Sequence, residues 1–305
     1  MTMKSLQYPP FLRPNDCVIM VSPSSCIDKK LIGRAKERLE SWGLKVILSK
    51  HVDSTYDGYA GKEEERRMDF QEAMDHEKCK AIFCTRGGYG AIHFIDKLDF
   101  TRFRKWPKWL IGYSDITALH LRFNREGFAT LHSPMARHLA TVSPEDASLL
   151  YLKGVLFGKI PTYFCPSHQL NTKGETTGVL RGGNLSVLGS MQGTPFAVAT
   201  KGTLLFVEDV GESLHTIERF FYNLKYSGVL DQLAGLIVGQ FTDCLEDQLF
   251  SKCVYRMVFQ LLKPYSFPVC YNFPIGHAKM NFPLICGARV RLQVEKEKTT
   301  LSFLP

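Results

Sequence analysis

The sequence predicts an α/β protein of two domains, the first built on a parallel sheet and the second smaller and richer in strand. Three observations support this prediction. The chain has 305 residues, a length that favours two domains over one. In its first half, short apolar runs alternate with amphipathic stretches, the pattern of a parallel sheet covered by helices. After about residue 175, short apolar runs become more frequent relative to helical stretches.

The N-terminal domain is predicted at residues 1–158. Its strands are predicted at Cys17–Val21, Lys45–Leu48, Lys80–Cys84, Trp109–Gly112 and Phe128–His132. Its helices are predicted at Asp28–Trp42, at Glu63–His76 and from the residues after Asp115 to Arg125. Each predicted helix follows a strand or its loop, as a doubly covered parallel sheet requires.

Residues 159–175 carry prolines and polar residues without a clear period, so a linker is predicted there. The second domain is then expected at residues 176–305. Its strands are predicted at Thr177–Leu180, Thr203–Val207, Leu233–Val238, Val269–Asn272 and Ala288–Phe303. Its helices are predicted at Asn184–Met191, Leu214–Lys225 and Gln248–Leu262.

The composition indicates which kinds of partner and which cellular compartment to expect. The net charge of +8 is spread along the chain, which indicates a mildly basic surface rather than a nucleic-acid site. The nine cysteines are irregularly spaced and form no C-x-x-C pair, as in proteins of a reducing compartment. Met1–Pro14 lacks an apolar core of signal-peptide length, and no stretch approaches the roughly 20 apolar residues of a membrane span. We therefore expect a cytoplasmic protein that contacts neither membrane nor nucleic acid.

The stretch from Trp109 to Thr117 is the most informative one for chemistry. An apolar strand ends in Gly-Tyr-Ser-Asp and a helix begins at once, so Ser114 would stand on a tight strand-to-helix turn beside free backbone N–H groups. This is the arrangement of a nucleophile elbow, although the G-x-S-x-G pattern is absent. The alternative is that Ser114 or Asp115 only caps the helix.

A glycine-rich motif, Arg86-Gly87-Gly88-Tyr89-Gly90, also follows a strand, and the carboxyl ends of parallel strands meet at one edge of a sheet. The motif does not fit the dinucleotide pattern G-x-G-x-x-G. An oxyanion hole formed by the N–H groups of Gly88 and Asp115 is the functional interpretation, and a plain tight turn is the alternative.

A serine nucleophile needs a base, and the base needs an orienting acid. His277, in Phe-Pro-Ile-Gly-His after a strand, is the favoured base, and His132 is its rival. The apolar run Leu204–Val207 ends abruptly in Glu208 and Asp209, which offer the acid unless they are solvated or cap a helix. Two further acids, more typical of a helix surface, are Glu212 and Glu218.

His215 and Glu218 form an H-x-x-E pair on a predicted helix, a spacing that holds zinc only when a third ligand is near. Because such pairs are common by chance, we expect no metal site. The interpretation as a serine hydrolase also requires no cofactor.

Taken together, these motifs resemble the LD-carboxypeptidases typified by muramoyltetrapeptide carboxypeptidase, a family that includes the microcin C immunity hydrolases. The matching segments, in chain order, are Val18–Ser25, Arg86–Ala91, Ile111–Thr117, Arg181–Leu188, Leu205–Glu212, and Gly276-His277 with the single residues Asn281, Leu284 and Gly287. The resemblance implies a triad of Ser114, Glu208 and His277. It further implies a flavodoxin- or glutamine-amidotransferase-like first domain, a β-rich second domain that carries the acid and base, and a homodimer.

The function implied by the resemblance is release of terminal D-alanine from murein tetrapeptides in peptidoglycan recycling, with a small peptide as substrate. The substrate carboxylate needs a cationic or N–H-rich pocket, for which Arg86 and Arg181 are the candidates nearest the glycine-rich motifs. The alternative for either residue is a structural arginine at the surface. Two alternatives stay open. One is an immunity-type hydrolase of peptidyl or aminoacyl nucleotides, although Gly189–Pro195 lacks the tryptophan those relatives carry. The other is a catalytically silent binder of cell-wall peptides, which the filled triad positions disfavour.

Two departures from the family pattern are visible. His132-Ser133-Pro134 stands where the family commonly has His-Gly-Pro, and Leu284-Ile285-Cys286-Gly287 stands where it has Leu-Pro-x-Gly. Neither affects the triad, but the second lies close enough to His277 to alter the fit of the substrate.

Overall fold

The computed structural model describes residues 6–244 and 253–305. The chain divides into two compact units. The first extends to Ile160 and also takes in Phe282–Ile285, whereas the second comprises Pro161–Asn281 and Cys286–Pro305. The short segment Phe282–Ile285 therefore belongs to the first unit, although it lies in the second half of the sequence.

The elements of the described residues are numbered in chain order. The strands are β1 (Cys17–Val21), β2 (Lys45–Leu48), β3 (Cys79–Cys84), β4 (Trp109–Gly112), β5 (Thr130–His132), β6 (Thr162–Pro166), β7 (Gly174–Asn184), β8 (Thr203–Val210), β9 (Leu233–Thr242), β10 (Val269–Tyr271), β11 (Leu284–Cys286), β12 (Arg289–Val294) and β13 (Lys298–Phe303). The α-helices are α1 (Lys29–Ser41), α2 (Glu63–Asp75), α3 (Thr117–Arg125), α4 (Ala136–Thr141), α5 (Ala147–Leu156), α6 (Leu185–Ser190), α7 (Leu214–Tyr226) and α8 (Val254–Leu262).

The first unit is built on a six-stranded sheet in the order β11-β5-β4-β3-β1-β2, in which β1 to β5 pair in parallel. Strand β4 is buried along its whole length, and so are the last residues of β1 and β3, so both faces need cover. Helix α1 supplies part of it through Ile32, Ala35 and Leu39, and its N-terminus is capped by Asp28. The loops after β1, β3 and β4 leave the same edge of this sheet.

The second unit contains a seven-stranded mixed sheet in the order β10-β9-β8-β7-β12-β13-β6. Strands β7 to β10 pair in parallel, and the other pairs are antiparallel. The run Thr203–Asp209 of β8 is buried, because this strand lies in the middle of the sheet. The predicted α/β architecture with two domains is confirmed.

Two segments differ from their predictions, and a third lies partly outside the described residues. The predicted linker contains the edge strand β6, in which Tyr163 and Cys165 are buried while Phe164 is exposed. This alternation is only five residues long and ends in a proline, so the sequence shows it weakly. The single run Ala288–Phe303 is a hairpin, since Glu295 N donates to Lys298 O. The first five residues of the helix predicted at Gln248–Leu262 lie outside the described residues. No helix among the residues described has the length and apolar character to cross a membrane.

Candidate active site

Ser114 stands on the turn between β4 and α3. Its φ is +64°, a left-handed conformation that a non-glycine residue adopts at a cost of about 1–2 kcal/mol. The strand ends at Gly112, whose carbonyl accepts hydrogen bonds from Ser133 N (3.1 Å) and His120 Nε2 (2.9 Å). A Cβ at Gly112 would lie 2.9 Å from the side chain of Ile116, so a larger residue would crowd the turn. The surrounding bonds hold the serine in a strained turn, as a nucleophile elbow requires.

Asp115 does not cap the helix that follows. Its buried carboxylate oxygen Oδ2 accepts from Ser24 Oγ (2.6 Å), in the loop after β1, and from Ala91 N (2.9 Å), in the loop after β3. Burial raises the pKa of this carboxyl, while the two hydrogen bonds favour its ionised form. The N-cap positions of this turn and of α3 are Tyr113 and Ile116, so neither Ser114 nor Asp115 stands at a cap position. The capping alternative is therefore wrong, and Asp115 joins three loops at one sheet edge.

The glycine-rich loop lies against the serine. A Cβ on Gly87 would lie 2.8 Å from Ser114 Cβ, 2.9 Å from its Oγ and 3.2 Å from Asp115 N. Gly88 has φ +100° and its own added Cβ would lie 2.2 Å from Ser25 Oγ. The loop is thus more than a tight turn, because its glycines make room for the nucleophile and for the strand-β1 loop. Asp115 N, at the start of a helix, has no intrahelical acceptor.

Arg86 precedes these glycines. Its Nη1 donates to Cys26 O at 3.1 Å, and its side chain is partly exposed. The structure therefore brings Arg86, Gly88, Ser114 and Asp115 together within the first unit.

Glu208 and His277 meet within the second unit. Glu208, at the end of β8, is fully buried, and its Oε2 is 2.7 Å from His277 Nδ1. Burial acts to lower the pKa of His277, but the hydrogen bond from its ring to Glu208 and the charges of Glu208 and Asp209 raise it above its ordinary value overall. The His277 side chain is 18% exposed, so the ring is held at Nδ1 yet reachable. This is the arrangement of an oriented general base.

Gly276 explains why the motif reads Gly-His. Its φ is +125°, and a Cβ there would lie 3.0 Å from both Cβ and Oε2 of Glu208. Its N–H donates to Oδ1 of the buried Asn281 at 3.1 Å. The glycine lets the backbone approach the acid, and the amide fixes the loop that presents His277.

The other candidate acids and the rival histidine have different surroundings. Asp209 accepts from Asn184 Nδ2 (2.8 Å) and from both N and Oγ of Ser186 (2.9 and 2.6 Å), so it holds the start of α6. Glu212 lies 3.2 Å from Ser186 Oγ. In the first unit His132 is fully buried, with its ring beside Tyr113 and His120.

The sequence agrees with known proteins over nearly its whole length. Residues 18–133 match the model of the LD-carboxypeptidase N-terminal domain, and residues 177–292 match that of the LD-carboxypeptidase C-terminal domain. A probable murein peptide carboxypeptidase of Bacillus subtilis is 33% identical, and the alignment covers 97% of this chain and 95% of that protein.

The chain belongs to the LD-carboxypeptidase family.

Solved structures agree with this assignment. Muramoyltetrapeptide carboxypeptidase from Oxalobacter formigenes superposes with a TM-score of 0.87 at 26% identity, covering 95% of this chain and 99% of the other. An MccF-like protein from Bacillus anthracis has the same TM-score at 22% identity, covering 98% and 100%. The second likeness shows the shared fold alone. The chain is a serine-type hydrolase of this family, and the resemblance predicted from its motifs is confirmed.

Two other residues that the sequence singled out are Arg181 and His215. Arg181, on β7, is buried and its Nη1 donates to Thr203 Oγ1 at 3.0 Å. Thr203 begins β8, and Glu208 lies five residues further along that strand. His215 Nε2 lies 3.1 Å from Ser213 Oγ, and within residues 6–244 and 253–305 no three His, Cys, Asp or Glu side chains group as metal ligands.

Sequence reasoning gave no role to Ser24 or Asn281. Ser24 follows a buried strand, as Ser114 does, and that position was the available signal. Asn281 sits four residues after His277 in a loop, and nothing in its local pattern indicates a bond back to Gly276.

Proposed function

We propose that the protein is a serine carboxypeptidase that hydrolyses the L,D-peptide bond before the terminal D-alanine of murein tetrapeptides, in peptidoglycan recycling. The observation that carries this proposal is the 2.7 Å hydrogen bond between Glu208 Oε2 and His277 Nδ1. A carboxylate at Nδ1 fixes the ring proton there and leaves Nε2 able to accept the serine proton. Family membership supplies the substrate class.

In the proposed reaction Ser114 Oγ attacks the carbonyl carbon before D-alanine while His277 takes its proton. Glu208 stabilises the imidazolium that forms, and the N–H groups of Gly88 and Asp115 bind the oxyanion. The carbon–nitrogen bond then breaks, His277 protonates the leaving amine, and an acyl-serine remains. Water, deprotonated by His277, cleaves the ester and regenerates Ser114. Each oxyanion donor is worth about 2.7–4 kcal/mol in comparable enzymes.

We further propose that Arg86 binds the carboxylate of the terminal D-alanine. It is partly exposed, adjoins the glycine loop and is anchored through Nη1 to Cys26 O, which leaves donors of its guanidinium fork for a ligand. Arg181 is less suited to this task, because its contact with Thr203 is buried. Replacing Arg86 by alanine should raise KM for the tetrapeptide, and an unchanged KM would remove it from the pocket.

From the family resemblance we also propose a homodimer in the cytoplasm. All nine cysteines are free, including the neighbouring Cys17 and Cys79, whose Sγ atoms are 3.0 Å apart. A reducing compartment agrees with unpaired thiols at this distance.

The nucleotide-hydrolysing alternative has the fold of the MccF-like protein in its support. Against it stands the stretch after α6, Met191–Pro195, which offers no tryptophan on which a base could stack. A silent binding protein would have no reason to keep an acid–histidine pair whose acid is fully buried.

The test is release of D-alanine from L-Ala-γ-D-Glu-meso-diaminopimelyl-D-Ala by the wild type, by Ser114→Ala and by the matched control Ser41→Ala, whose hydroxyl bonds Arg38 O at the end of α1. Release by the wild type and the control, but not by Ser114→Ala, is expected. Release by all three would exclude Ser114 as nucleophile. If none releases D-alanine, hydrolysis of an aminoacyl sulfamoyl adenosine decides for the nucleotide alternative.

A further inference from the structure

Arg66 is a buried cation within the first unit, on helix α2, and only 2% of it is exposed. Its Nη1 donates to Pro23 O and to Gly90 O, each at 2.8 Å, and its Nε donates to Gly61 O at 3.3 Å. Its Nη2 lies 3.0 Å from His93 Nδ1. These four partners come from three segments, because Gly90 and His93 both follow β3, and they are carbonyl oxygens and an imidazole nitrogen rather than carboxylates.

The surroundings of this guanidinium are shaped to receive it. It lies over the ring of Tyr59 at 5.0 Å and over that of Phe94 at 5.9 Å. Gly90 has φ +126°, and a Cβ there would lie 2.7 Å from Arg66 Nη1. Burial of a charge bonded only to neutral groups is costly, and burial lowers the pKa of Arg66. Because this burial is costly, we expect Arg66 to have a role other than stabilising the fold.

The two carbonyls at Nη1 each lie one residue before a group that bonds Asp115. Pro23 precedes Ser24, whose Oγ donates to Asp115 Oδ2. Gly90 precedes Ala91, whose N–H donates to the same oxygen. One guanidinium nitrogen thus holds both loops that hold the aspartate next to Ser114.

The same two loops are joined again beside the nucleophile. Ser25 N donates to Gly87 O at 3.3 Å, and Tyr89 N donates to Ser25 Oγ at 3.2 Å. Gly88 lies between these two contacts. The position of its N–H therefore depends on how the loop after β1 is held against the loop after β3.

We propose that Arg66 is a positioning residue for catalysis, which sets both loops so that the N–H groups of Gly88 and Asp115 face the oxyanion. The proposal rests on the proposed function in taking Ser114 as the nucleophile. Since these donors act on charge that develops only in the transition state, loss of Arg66 should lower kcat and leave KM nearly unchanged. A purely structural arginine would lower the melting temperature without changing kcat of the folded enzyme.

The test compares Arg66→Met with Arg67→Met, its neighbour on α2, which is paired with Glu64 at the surface. For Arg66→Met, assayed well below its melting temperature, we expect kcat for D-alanine release to fall about 10²-fold, the cost of about one oxyanion donor, with KM within about threefold. Arg66→Lys keeps the charge but lacks the planar guanidinium fork, so its kcat should lie between those of the wild type and Arg66→Met. Arg67→Met should match the wild type.

A second readout separates this proposal from the proposed function. A fluorophosphonate labels Ser114 without any peptide substrate, and the rate of this labelling should fall at least tenfold in Arg66→Met. A folded Arg66→Met with kcat and labelling rate within threefold of wild type overturns the role of Arg66. If Arg66→Met does not fold, Arg66→Lys decides, and kcat within twofold of wild type overturns it. Absence of D-alanine release by a wild type that still labels would instead contradict the murein substrate.

Discussion

Replacing Glu208 by glutamine removes one buried charge and almost nothing else. Oε2 of Glu208 is 2.7 Å from His277 Nδ1, whereas its buried Oε1 has no hydrogen-bond partner within residues 6–244 and 253–305. A glutamine amide can point either atom at the ring. With NH₂ in the place of Oε1, two buried donors stay unsatisfied at a cost of about 1–3 kcal/mol. The amide should therefore turn its nitrogen toward Nδ1.

That orientation places the ring proton of His277 on the wrong nitrogen. An amide N–H at Nδ1 makes this atom an acceptor, so the neutral ring carries its proton on Nε2 and cannot take one from Ser114. The lost charge-assisted bond alone costs about 1.5–3 kcal/mol, roughly 10–100-fold in rate. In the chymotrypsin-type triad, the corresponding acid-to-amide change costs about 10⁴ through the tautomer. We expect kcat/KM to fall by about 10³–10⁴.

The pH dependence of kcat/KM gives an independent test of the role of Glu208. Burial works to lower the pKa of His277, but Glu208, through its hydrogen bond and charge, together with Asp209, raises it above the ordinary value. Because the base must be neutral, the acid limb of kcat/KM in the wild type should lie above that of an ordinary histidine. Removal of the Glu208 charge should move this limb to lower pH.

Initial rates of D-alanine release, measured across about pH 5 to 8 for wild type and Glu208→Gln, check both expectations. Glu218→Gln, the same change on helix α7, is the matched control and should behave as wild type. A loss in Glu208→Gln smaller than tenfold, or an acid limb that stays in place, would refute the role given to this carboxylate.

Two further predictions follow from backbone space and from a buried amine. Gly87→Ala should lower kcat about 10²-fold or more, since a Cβ would lie 2.8 Å from Ser114 Cβ and a displacement of about 1 Å costs about that much. Gly33→Ala, which meets nothing within 4 Å, should stabilise helix α1 by about 0.5–1 kcal/mol in thermal unfolding. Lys108 is fully buried, with its Nζ 2.6 Å from Met74 O, and burial lowers its pKa to about 8. Between about pH 8 and 10.5 the unfolded chain therefore binds one more proton than the folded chain, so the free energy of unfolding should rise with pH by up to about 3 kcal/mol. Denaturant titrations should find this rise in the wild type and not in Lys108→Met.

Local patterns predicted much of the fold because they depend on neighbouring residues. The strand at Trp109–Gly112, the turn at Ser114 and the helix after it follow from an apolar run, a glycine and a polar residue in sequence. Strand β6 was missed because its alternation is short and is stabilised by pairing with β13, more than 130 residues later. The hairpin of β12 and β13 was merged into one strand, since its turn contains charged residues rather than glycine or proline.

The parts of the site that the sequence did not predict depend on long-range contacts. Glu208 and His277 are 69 residues apart. The local sequence favoured His277 over His132, but only the family resemblance selected Glu208 rather than Asp209. The bonds from Ser24 to Asp115, and from Arg66 to Gly90, cross 91 and 24 residues. In the sequence Arg66 lies in a charged stretch that resembles a solvated helix face. Its burial follows from the carbonyls that surround it, and local pattern does not reveal these.

The motifs Ser114-Asp115 and Glu208-Asp209 share one design, although they lie in different units. In each, the first residue has the proposed chemical role and the second is a buried aspartate that accepts a hydrogen bond from a serine hydroxyl, Ser24 in the loop after β1 or Ser186 at the start of α6. Burial raises the pKa of both aspartates, while donated hydrogen bonds oppose it. In each motif the aspartate thus ties its own segment to a neighbouring one, which fixes the backbone of the residue before it. We therefore infer that the aspartate in each motif holds the surrounding backbone in place, because the residue before it can act only from a fixed position.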